Sequence, residues 1–372
     1  MKCQRDKFML SRKIAYLNCA YMSPMMKKVE NAGRQGIELK RRPYKVKSSD
    51  FFDQGNLARQ YFSKIVGVSD NNRNVIIPSV SYAMANVAAN LPRKKGNVVV
   101  AEAQFPSNVY PWKGYSLNMA KKREGQSWTE SILQAINDKT AAVAIGHVHW
   151  VDGAIFDLKV IREAATKAGA ALIIDGTQSV GALPYDNQEV GADAVVVAGY
   201  KWLFGPYGLG MAYYGEMFDD GNPIEQNWIN RKGSEDFGGL VTYTEDYHEG
   251  ALRYEVGEHS NFILLPMLNT AMKQIIQWDP AKSQAYVHLL MKETILQLQE
   301  AGYLIAEENE RAHHLFGIRL AKGANGDAVK KSLNKHRVNV SFRGDAIRVA
   351  PSVYNDAKDV LKLKKALIEA IA

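Results

Sequence analysis

Cysteine is scarce in this sequence, which has only Cys3 and Cys19 among its 372 residues. Two thiols cannot form a disulfide framework, and they are too few for a structural zinc site built from sulfur ligands. The sequence also lacks any run of about 18 consecutive apolar residues, and no apolar segment follows the charges at its start. These absences predict a soluble, cytoplasmic protein with no membrane association.

The net excess of positive charge is confined to the first 50 residues. The net charge is +8, and residues 1–50 contain 13 lysines and arginines against 4 acidic residues, so the remainder is close to neutral. A basic segment can bind nucleic acid, but here the charges are interspersed with tyrosine, methionine, isoleucine and leucine. Such a pattern is typical of the solvated face of a folded protein, and no nucleic-acid partner is expected.

The middle of the chain contains short apolar runs that predict buried strands. These runs are followed by polar or glycine-rich turns and cover residues 97–101, 141–145, 171–174 and 194–197. Between two of them, residues 157–169 have an aspartate that can cap a helix, apolar residues at helical spacing and a terminating glycine. Strands alternating with helices predict a mostly parallel sheet in an α/β fold, with ligands bound beyond the carboxyl ends of the strands.

The pattern changes after about residue 265, where long helical stretches precede shorter strands. Helices are predicted for residues 267–278, 283–301 and 356–371, and strands for residues 317–320 and 337–342. We therefore predict an N-terminal arm at residues 1–20, a large α/β domain at 21–262 and a smaller α+β domain at 263–372.

Two residues of complementary chemistry follow neighbouring predicted strands. Asp175 ends one strand, and Lys201 lies just beyond the next in a glycine-rich segment. Considered separately, the aspartate could simply cap a helix N-terminus and the lysine could simply be a surface cation. Taken together, an amine that can form a Schiff base and a carboxylate that can keep a pyridinium nitrogen protonated are what pyridoxal phosphate requires.

The segments IIDGTQSVGALP and DAVVVAGYKWLFGPYGLG, at residues 173–184 and 193–210, resemble the class V aminotransferases. These are fold-type I pyridoxal phosphate enzymes, in a branch that includes cysteine desulfurases and an isopenicillin N epimerase. Further similar segments occur in the family's order, and they are AYLNCA at 15–20, QFPSNVYPW at 104–112, RYEVG at 253–257 and RVAPSVYN at 348–355. The resemblance implies a large domain with a mostly parallel mixed sheet flanked by helices and a smaller C-terminal α+β domain.

The resemblance also implies roles for individual residues around pyridoxal phosphate. Lys201 matches the lysine that binds the cofactor and moves the substrate Cα proton, and Asp175 matches the carboxylate at the pyridine nitrogen. Gln178 matches the residue that hydrogen-bonds the phenolic oxygen. Phe105 stands where the family has a stacking ring, often histidine, and a phenylalanine can stack but cannot act as an acid or base.

The turn at residues 79–83 is predicted to bind the cofactor phosphate, because free amides at a helix start favour an anion. Ser81 and Tyr82 are the expected contacts. Tyr200 replaces the family's frequent histidine before the lysine, and Ala198 stands where a serine is common, so Tyr200 is expected to donate its hydroxyl instead. Family members are usually homodimers that share active sites, but the loop at 257–260 lacks the usual Gly-Thr pair.

The resemblance places Arg348 on the substrate α-carboxylate, for which its planar guanidinium is suited. His149 and Trp150 follow another strand and are expected on the substrate side of the cofactor. His147 and His149 are two residues apart, but with no third ligand nearby no metal site is predicted.

Several reactions remain open. No cysteine follows residue 19, which disfavours desulfuration through an enzyme-bound persulfide. Transamination of an amino acid is preferred, with carbon–sulfur or carbon–selenium lyase, epimerase and kynureninase-like hydrolase activities as alternatives. A non-catalytic scaffold or binding protein is the alternative of another class, and it is disfavoured because Lys201, Asp175, Gln178 and Arg348 are all present.

Overall fold

A seven-stranded mixed sheet is the centre of the structure, a computed structural model that describes residues 1–92, 95–320, 325–344 and 346–371. The twelve strands of these residues, in chain order, are β1 Ala15–Tyr16, β2 Asn74–Ile77, β3 Asn97–Ala101, β4 Ser116–Ala120, β5 Thr140–Gly146, β6 Ala171–Asp175, β7 Ala194–Ala198, β8 Gly210–Tyr214, β9 Phe316–Arg319, β10 Val338–Asn339, β11 Ser341–Arg343 and β12 Ala346–Val349. The large sheet has the strand order β2-β8-β7-β6-β5-β3-β4. Its strands from β7 to β4 run parallel, and β8 is antiparallel to both of its neighbours.

Helices flank this sheet and form part of the C-terminal region. Within the described ranges they are α1 Lys27–Lys40, α2 Asp50–Val66, α3 Val80–Asn90, α4 Trp128–Ala135, α5 Leu158–Lys167, α6 Asn187–Val190, α7 Leu264–Trp278, α8 Pro280–Glu300, α9 Gly326–Lys335 and α10 Ala357–Glu369. None of the helices in these ranges has the length and the apolar character needed to cross a bilayer. The predicted mostly parallel mixed sheet flanked by helices is confirmed.

The strand sequences explain why the sheet is covered on both faces. Successive side chains of a strand point to opposite faces. In β6, Leu172 and Ile174 join one apolar cluster, whereas Ala171 and Ile173 join another. Helices α5 and α7 contribute to the first cluster and α3 to the second. A strand that is apolar at every position is therefore stable only between two layers of helix.

A close approach of two helices fixes one side of the large sheet. At Gly36 of α1, an added Cβ would lie 2.1 Å from the carbonyl oxygen of Phe262, just before α7. Only a residue without a side chain fits against this backbone. This packing places α1, which carries part of the basic front of the chain, on the same layer as α7.

A third apolar cluster forms the core of the C-terminal region. It includes side chains of α8, α9 and α10 and of the three-stranded antiparallel sheet β11-β12-β9. Helix α7 packs in the cluster of the large sheet, whereas α8 packs in the C-terminal cluster. The division of the chain at residues 262 and 263 stays a prediction, and residues 321–324, 345 and 372 of the predicted small domain lie outside the described residues.

The N-terminal segment is bound to the C-terminal region. Strand β1 pairs in parallel with β10, and the Ser341 hydroxyl donates a 2.8 Å hydrogen bond to Asn18 Oδ1 across 323 positions of sequence. Arg5 and Asp359 form a buried ion pair of 2.7 Å at the start of α10. The predicted arm is therefore packed in the fold.

Candidate active site

A cavity of about 220 Å³ lies at the carboxyl ends of three neighbouring parallel strands. Gly146 ends β5, Asp175 ends β6 and Ala198 ends β7, and all three residues line the cavity. Ligands of open α/β sheets bind at this edge. Seven of the ten predicted site residues also line the cavity, and they are Ser81, Phe105, Trp150, Asp175, Gln178, Tyr200 and Lys201.

Lys201 is buried, with an exposed fraction of 7%. Burial lowers the pKa of its amine from 10.5 to about 8, a shift that the Asp175 carboxylate opposes and the positive charges of Arg348 and Arg343 favour. A larger fraction of the amine is consequently neutral near pH 7 than for a lysine in water. A neutral amine is the nucleophilic form, and it can also accept a proton.

Asp175 is buried at the end of β6. Burial raises the pKa of its carboxyl, and hydrogen bonds from Thr177 together with the charge of Lys201 oppose that shift. Its Oδ1 accepts a 3.0 Å hydrogen bond from the main-chain N–H of Thr177, and the Thr177 hydroxyl in turn accepts from the N–H of Ala198. The carboxylate is thus tied to the ends of both β6 and β7. Thr177 is a site residue that the sequence analysis missed, although it stands between Asp175 and Gln178.

Aromatic side chains form the walls near Lys201. Its Nζ lies 5.3 Å from the centre of the Phe105 ring and 5.5 Å from that of Tyr200. Phe105 meets the Trp150 ring edge to face at 5.4 Å, and Tyr200 lies 4.6 Å from the Tyr207 ring. Burial raises the pKa of the Tyr200 phenol, so its hydroxyl stays protonated and able to donate a hydrogen bond.

Gln178 is held on both of its side-chain polar atoms. Its Nε2 donates to the carbonyl oxygen of Ala20 at 3.1 Å, and its Oε1 accepts from Trp202 Nε1 at 2.9 Å. The main-chain oxygen of Gln178 lies 2.7 Å from His314 Nε2. Because an amide nitrogen has two hydrogens, Nε2 retains one donor for the cavity. Trp202 and His314 were missed as positioning residues, although Trp202 directly follows Lys201.

The start of α3 forms one end of the cavity. The Ser79 hydroxyl accepts a hydrogen bond from the N–H of Tyr82 at 3.2 Å and lies 3.0 Å from the Ser81 hydroxyl. Tyr82 does not line the cavity, because its hydroxyl donates to Glu225 Oε2 at 2.8 Å. The geometry therefore does not support the predicted Tyr82 contact through its side chain, whereas Ser81 and the helix start remain suitable for an anion.

Arg348 lies on β12 of the C-terminal sheet, and its side chain is among the largest that are fully buried. Its Nη1 donates to the carbonyl oxygen of Trp150 at 3.0 Å, and its guanidinium lies 5.9 Å from the Trp150 ring. In the described part of the chain no carboxylate lies within 4.0 Å of this guanidinium, and its Nε is buried without a partner. Burial lowers the pKa of Arg348 to about 10.

His149 does not face the cavity, contrary to the sequence expectation. Its Nδ1 lies 2.8 Å from Asp152 Oδ1, and its ring packs against Trp128 at 4.7 Å. The carboxylate three residues later turns the imidazole toward the neighbouring cavity, which it lines together with Trp150. Trp150 lines both cavities, so of these two predicted substrate contacts only the tryptophan borders the candidate site.

The loop at residues 257–260 is anchored within its own chain. The N–H of Gly257 donates to Glu225 Oε2 at 3.0 Å. His259 is buried, with its Nδ1 3.3 Å from the carboxylate of Glu255, and that carboxylate is paired with Arg59 at 2.8 Å. These contacts hold the loop in place within its own chain.

The groups around the cavity fit pyridoxal phosphate. An amine of lowered pKa and a buried carboxylate border the same space, and the flat face of Phe105 lies beside the amine. Hydroxyls at a helix start stand at one end, and a buried guanidinium with an unpartnered Nε lies beyond Trp150. An aldehyde, a pyridine nitrogen and a phosphate therefore each have a chemically matched partner.

Comparison with known proteins gives the same assignment. Residues 40–354 match the family described as aminotransferase class-V. An uncharacterized aminotransferase of Bacillus subtilis is 26% identical over 325 residues, which cover 83% of this chain and 81% of the relative. A probable cysteine desulfurase of Halalkalibacterium halodurans is 30% identical over 167 residues, or 42% of this chain and 41% of the relative.

A solved structure has a similar fold. The complex of a cystine C–S lyase with its reaction product cysteine persulfide superimposes with a TM-score of 0.85 at 17% identity, and the match covers 96% of this chain and 98% of the lyase. The family match extends over most of the sequence and includes the strands and the lysine that border the cavity. The chain therefore belongs to the aminotransferase class-V family and is a pyridoxal phosphate-dependent enzyme.

Proposed function

We propose that this enzyme transfers the amino group of an amino acid to a 2-oxo acid, with Lys201 as its catalytic base. The observation that carries the proposal is that Lys201, with its lowered pKa, borders the same cavity as Asp175 and lies near the buried Arg348. The B. subtilis relative, which the chain matches along most of its length, carries the name aminotransferase.

The residues that would hold the cofactor are those whose chemistry matches its groups. Lys201 would bind the aldehyde carbon, Asp175 the pyridine nitrogen and Gln178 the phenolic oxygen. Phe105 would stack on the ring, and the phosphate would lie against Ser81, the start of α3 and the hydroxyl of Tyr200. When bound, the cofactor supplies an electron sink that accepts the electron pair left on the substrate Cα.

Two side chains act on the substrate in this proposal. Arg348 binds the α-carboxylate, because a buried guanidinium without a carboxylate partner gains a charge-assisted hydrogen bond from it. Lys201 would take the proton from the substrate Cα and deliver it to the carbon on the other side of the substrate nitrogen. Its amine suits this role because it is largely desolvated and its pKa of about 8 is near working pH. Trp150 lines the cavity, and its main-chain carbonyl oxygen accepts the hydrogen bond that positions Arg348.

Neither cysteine can accept sulfur in the cavity. Cys19 is fully buried, and burial raises the pKa of its thiol to about 12. Cys3 lies 3.6 Å from the carbonyl oxygen of Tyr354, and neither residue lines the cavity. The cavity therefore offers no thiol nucleophile for desulfuration through an enzyme-bound persulfide.

A carbon–sulfur lyase is the second candidate. The similar solved lyase is described with cysteine persulfide as its product, and release of a sulfur product needs no acceptor thiol in the enzyme. Here the same Cα proton would be removed by Lys201, but the bond from Cβ to sulfur would then break, and the sulfur product would leave with the bonding electrons. Water would then hydrolyse the released 2-aminoacrylate to a 2-oxo acid and ammonia.

Isotope tracing separates the two candidates. The purified holoenzyme is incubated with ¹⁵N-labelled amino acids, including cystine, and with unlabelled 2-oxo acids. Transamination moves ¹⁵N into a new amino acid, whereas elimination releases ¹⁵N-ammonia together with a sulfur product. Lys201→Ala should abolish either reaction, and Lys167→Ala, at an exposed lysine of α5, is the matched control. Labelled ammonia with no labelled amino acid would overturn the transaminase proposal.

We further propose that the enzyme is a cytoplasmic homodimer. The long loop after β8 exposes large apolar side chains, among them Trp228, Val241 and Tyr243, and grouped exposed apolar residues are typical of an interface. Sedimentation of the holoenzyme should give twice the mass of the chain, 41.4 kDa. An active monomer would contradict the dimer, and cell fractionation tests the compartment.

A further inference from the structure

We propose that His288, Glu308 and His313 form a binding site for a divalent transition metal such as Zn²⁺. One nitrogen of each histidine and one carboxylate oxygen all lie within 4.8 Å of one another. His288 Nδ1 is 3.4 Å from Glu308 Oε1, and the two imidazole rings are 4.5 Å apart. The cluster lies in the C-terminal region, and none of its residues borders the candidate active site.

The distance between the first histidine and the glutamate suits tetrahedral coordination, and the third ligand atom lies within 4.8 Å of both. Two ligands about 2.05 Å from a tetrahedral zinc ion are about 3.4 Å apart, which is the separation of His288 Nδ1 from Glu308 Oε1. Imidazole nitrogen and carboxylate oxygen are ordinary zinc ligands. A cavity of about 90 Å³ is lined by all three residues, which leaves room for water as a fourth ligand.

Helix α8 carries one of the two histidines and binds the main chain of the other. His288 lies on α8 one turn after Gln284, and the Oε1 of Gln284 accepts a 3.2 Å hydrogen bond from the N–H of His313. Gln284 also contacts His314 Nδ1 at 2.7 Å and donates to the carbonyl oxygen of Ala182. The backbone positions of both imidazoles are therefore fixed before a metal binds, which lowers the entropic cost of coordination.

The surrounding charges are mixed. Lys292 and Arg311 line the same cavity as the cluster, and Glu307 adds a second carboxylate. The Nε of Arg311 donates to the carbonyl oxygen of Ala306 at 2.9 Å, and its guanidinium lies 5.2 Å from the Phe316 ring. This cation is thus held by other partners, and the exposed Lys292 has a flexible side chain that can turn to solvent. A metal ion would tie residues 308–313 to α8.

Cobalt titration of tag-free holoenzyme tests the site. Co²⁺ has visible d–d bands that report tetrahedral N/O coordination, and Zn²⁺ should displace it. We expect one equivalent of Co²⁺ per chain and a higher melting temperature in its presence. His288→Ala and His313→Ala should each weaken binding by at least about 10- to 100-fold, and the titration of cofactor-free protein should give the same stoichiometry.

Two further variants keep the test decisive. Glu308→Gln changes an exposed side chain and should weaken Co²⁺ binding without affecting folding. His336→Ala is the control, because His336 forms a pair with Glu369 that lacks a third ligand among the described residues. The proposal is overturned if no saturable binding occurs, if the three ligand variants bind Co²⁺ like the wild type, or if binding requires the cofactor.

Discussion

The Nζ atom of Lys201 lies 5.3 Å from the centre of the Phe105 ring. This aromatic contact, together with the 7% exposure of the lysine, shows that the amine is largely removed from water. Asp175 is the group whose charge opposes the lowering of the Lys201 pKa, and Arg348 and Arg343 act in the other direction. Burial has the largest effect on the pKa of the amine, and these three charges adjust how readily it becomes neutral.

The uptake of pyridoxal phosphate should therefore depend on pH with a midpoint near the pKa of Lys201, which is about 8. The amine must be neutral to attack the aldehyde, so the rate rises as pH increases through this value. Asp175→Asn removes the charge that raises the pKa and should move the midpoint to lower pH. Stopped-flow absorbance of cofactor-free protein measures the rate. A midpoint that stays near 10.5, the ordinary lysine value, would show that the amine is solvated.

Asp175→Asn should also lower kcat on the order of 10²- to 10³-fold, because in the proposed site the carboxylate would stabilise charge on the cofactor. Retention of the cofactor is expected, since Lys201 still binds it. Asp220→Asn, at an exposed aspartate, is the matched control and should leave kcat unchanged. Steady-state kinetics with the best amino acid provides the comparison. Equal kcat values for the two variants would remove Asp175 from the proposed site.

Arg348→Gln should raise KM for an amino acid by about 10- to 100-fold, the loss expected for a hydrogen bond between charged groups. An amine that lacks the α-carboxylate should react equally well with both proteins, because it makes no contact with the guanidinium. A similar loss for both substrates would indicate that Arg348 acts only on the fold.

The isolation of Arg348 from carboxylates in the described residues also predicts that Arg348→Met does not lower the melting temperature of the cofactor-free protein.

Two arginines near the start of the chain offer a matched test of stability. Arg5 pairs with Asp359 at 2.7 Å and both side chains are buried, whereas Arg12 pairs with Asp356 at 3.8 Å and is 76% exposed. Arg5→Ala leaves a buried carboxylate without its cation and should lower the free energy of unfolding by about 3–5 kcal/mol. Arg12→Ala should change it by less than about 1 kcal/mol.

Urea unfolding of the cofactor-free variants provides this comparison. Equal losses for the two variants would show that the Arg5 ion pair has no special contribution. A third variant, Arg5→Lys, should recover only part of the loss, since a lysine cannot reproduce the further hydrogen bond that the Arg5 guanidinium donates to the carbonyl oxygen of Ser11.

The central strands could be predicted from sequence because their signal is local. Each of β3, β5, β6 and β7 is largely apolar, and the structure places all four within about one residue of the predicted ends. Strand β4 was missed because it lies at the sheet edge, where most of its side chains are exposed. Strand β8 was missed as well, because the glycine-rich segment was interpreted only as far as Gly210 and residues 211–214 received no prediction.

Most of the predicted site residues border the cavity, but the directions of their side chains could not be predicted. Lys201 and Asp175 border the cavity because the ends of parallel strands meet at one edge. His149 also follows a strand, but the Asp152 carboxylate turns its ring away. The roles of Trp202 and His314 depend on contacts with Gln178 across the fold, which no local pattern encodes.

The pairing of β1 with β10 has a consequence for synthesis. Asn18 forms its hydrogen bond with Ser341, which is made 323 positions later. At about 5–20 residues per second the ribosome needs roughly 16 to 65 s to synthesise that stretch. During this interval the apolar side chains of Ala15 and Leu17, which are fully buried in the finished fold, have no partner strand. Residues 15–18 are thus made long before their partner strand and are among the last to be folded, and they form the segment that a chaperone would have most reason to hold.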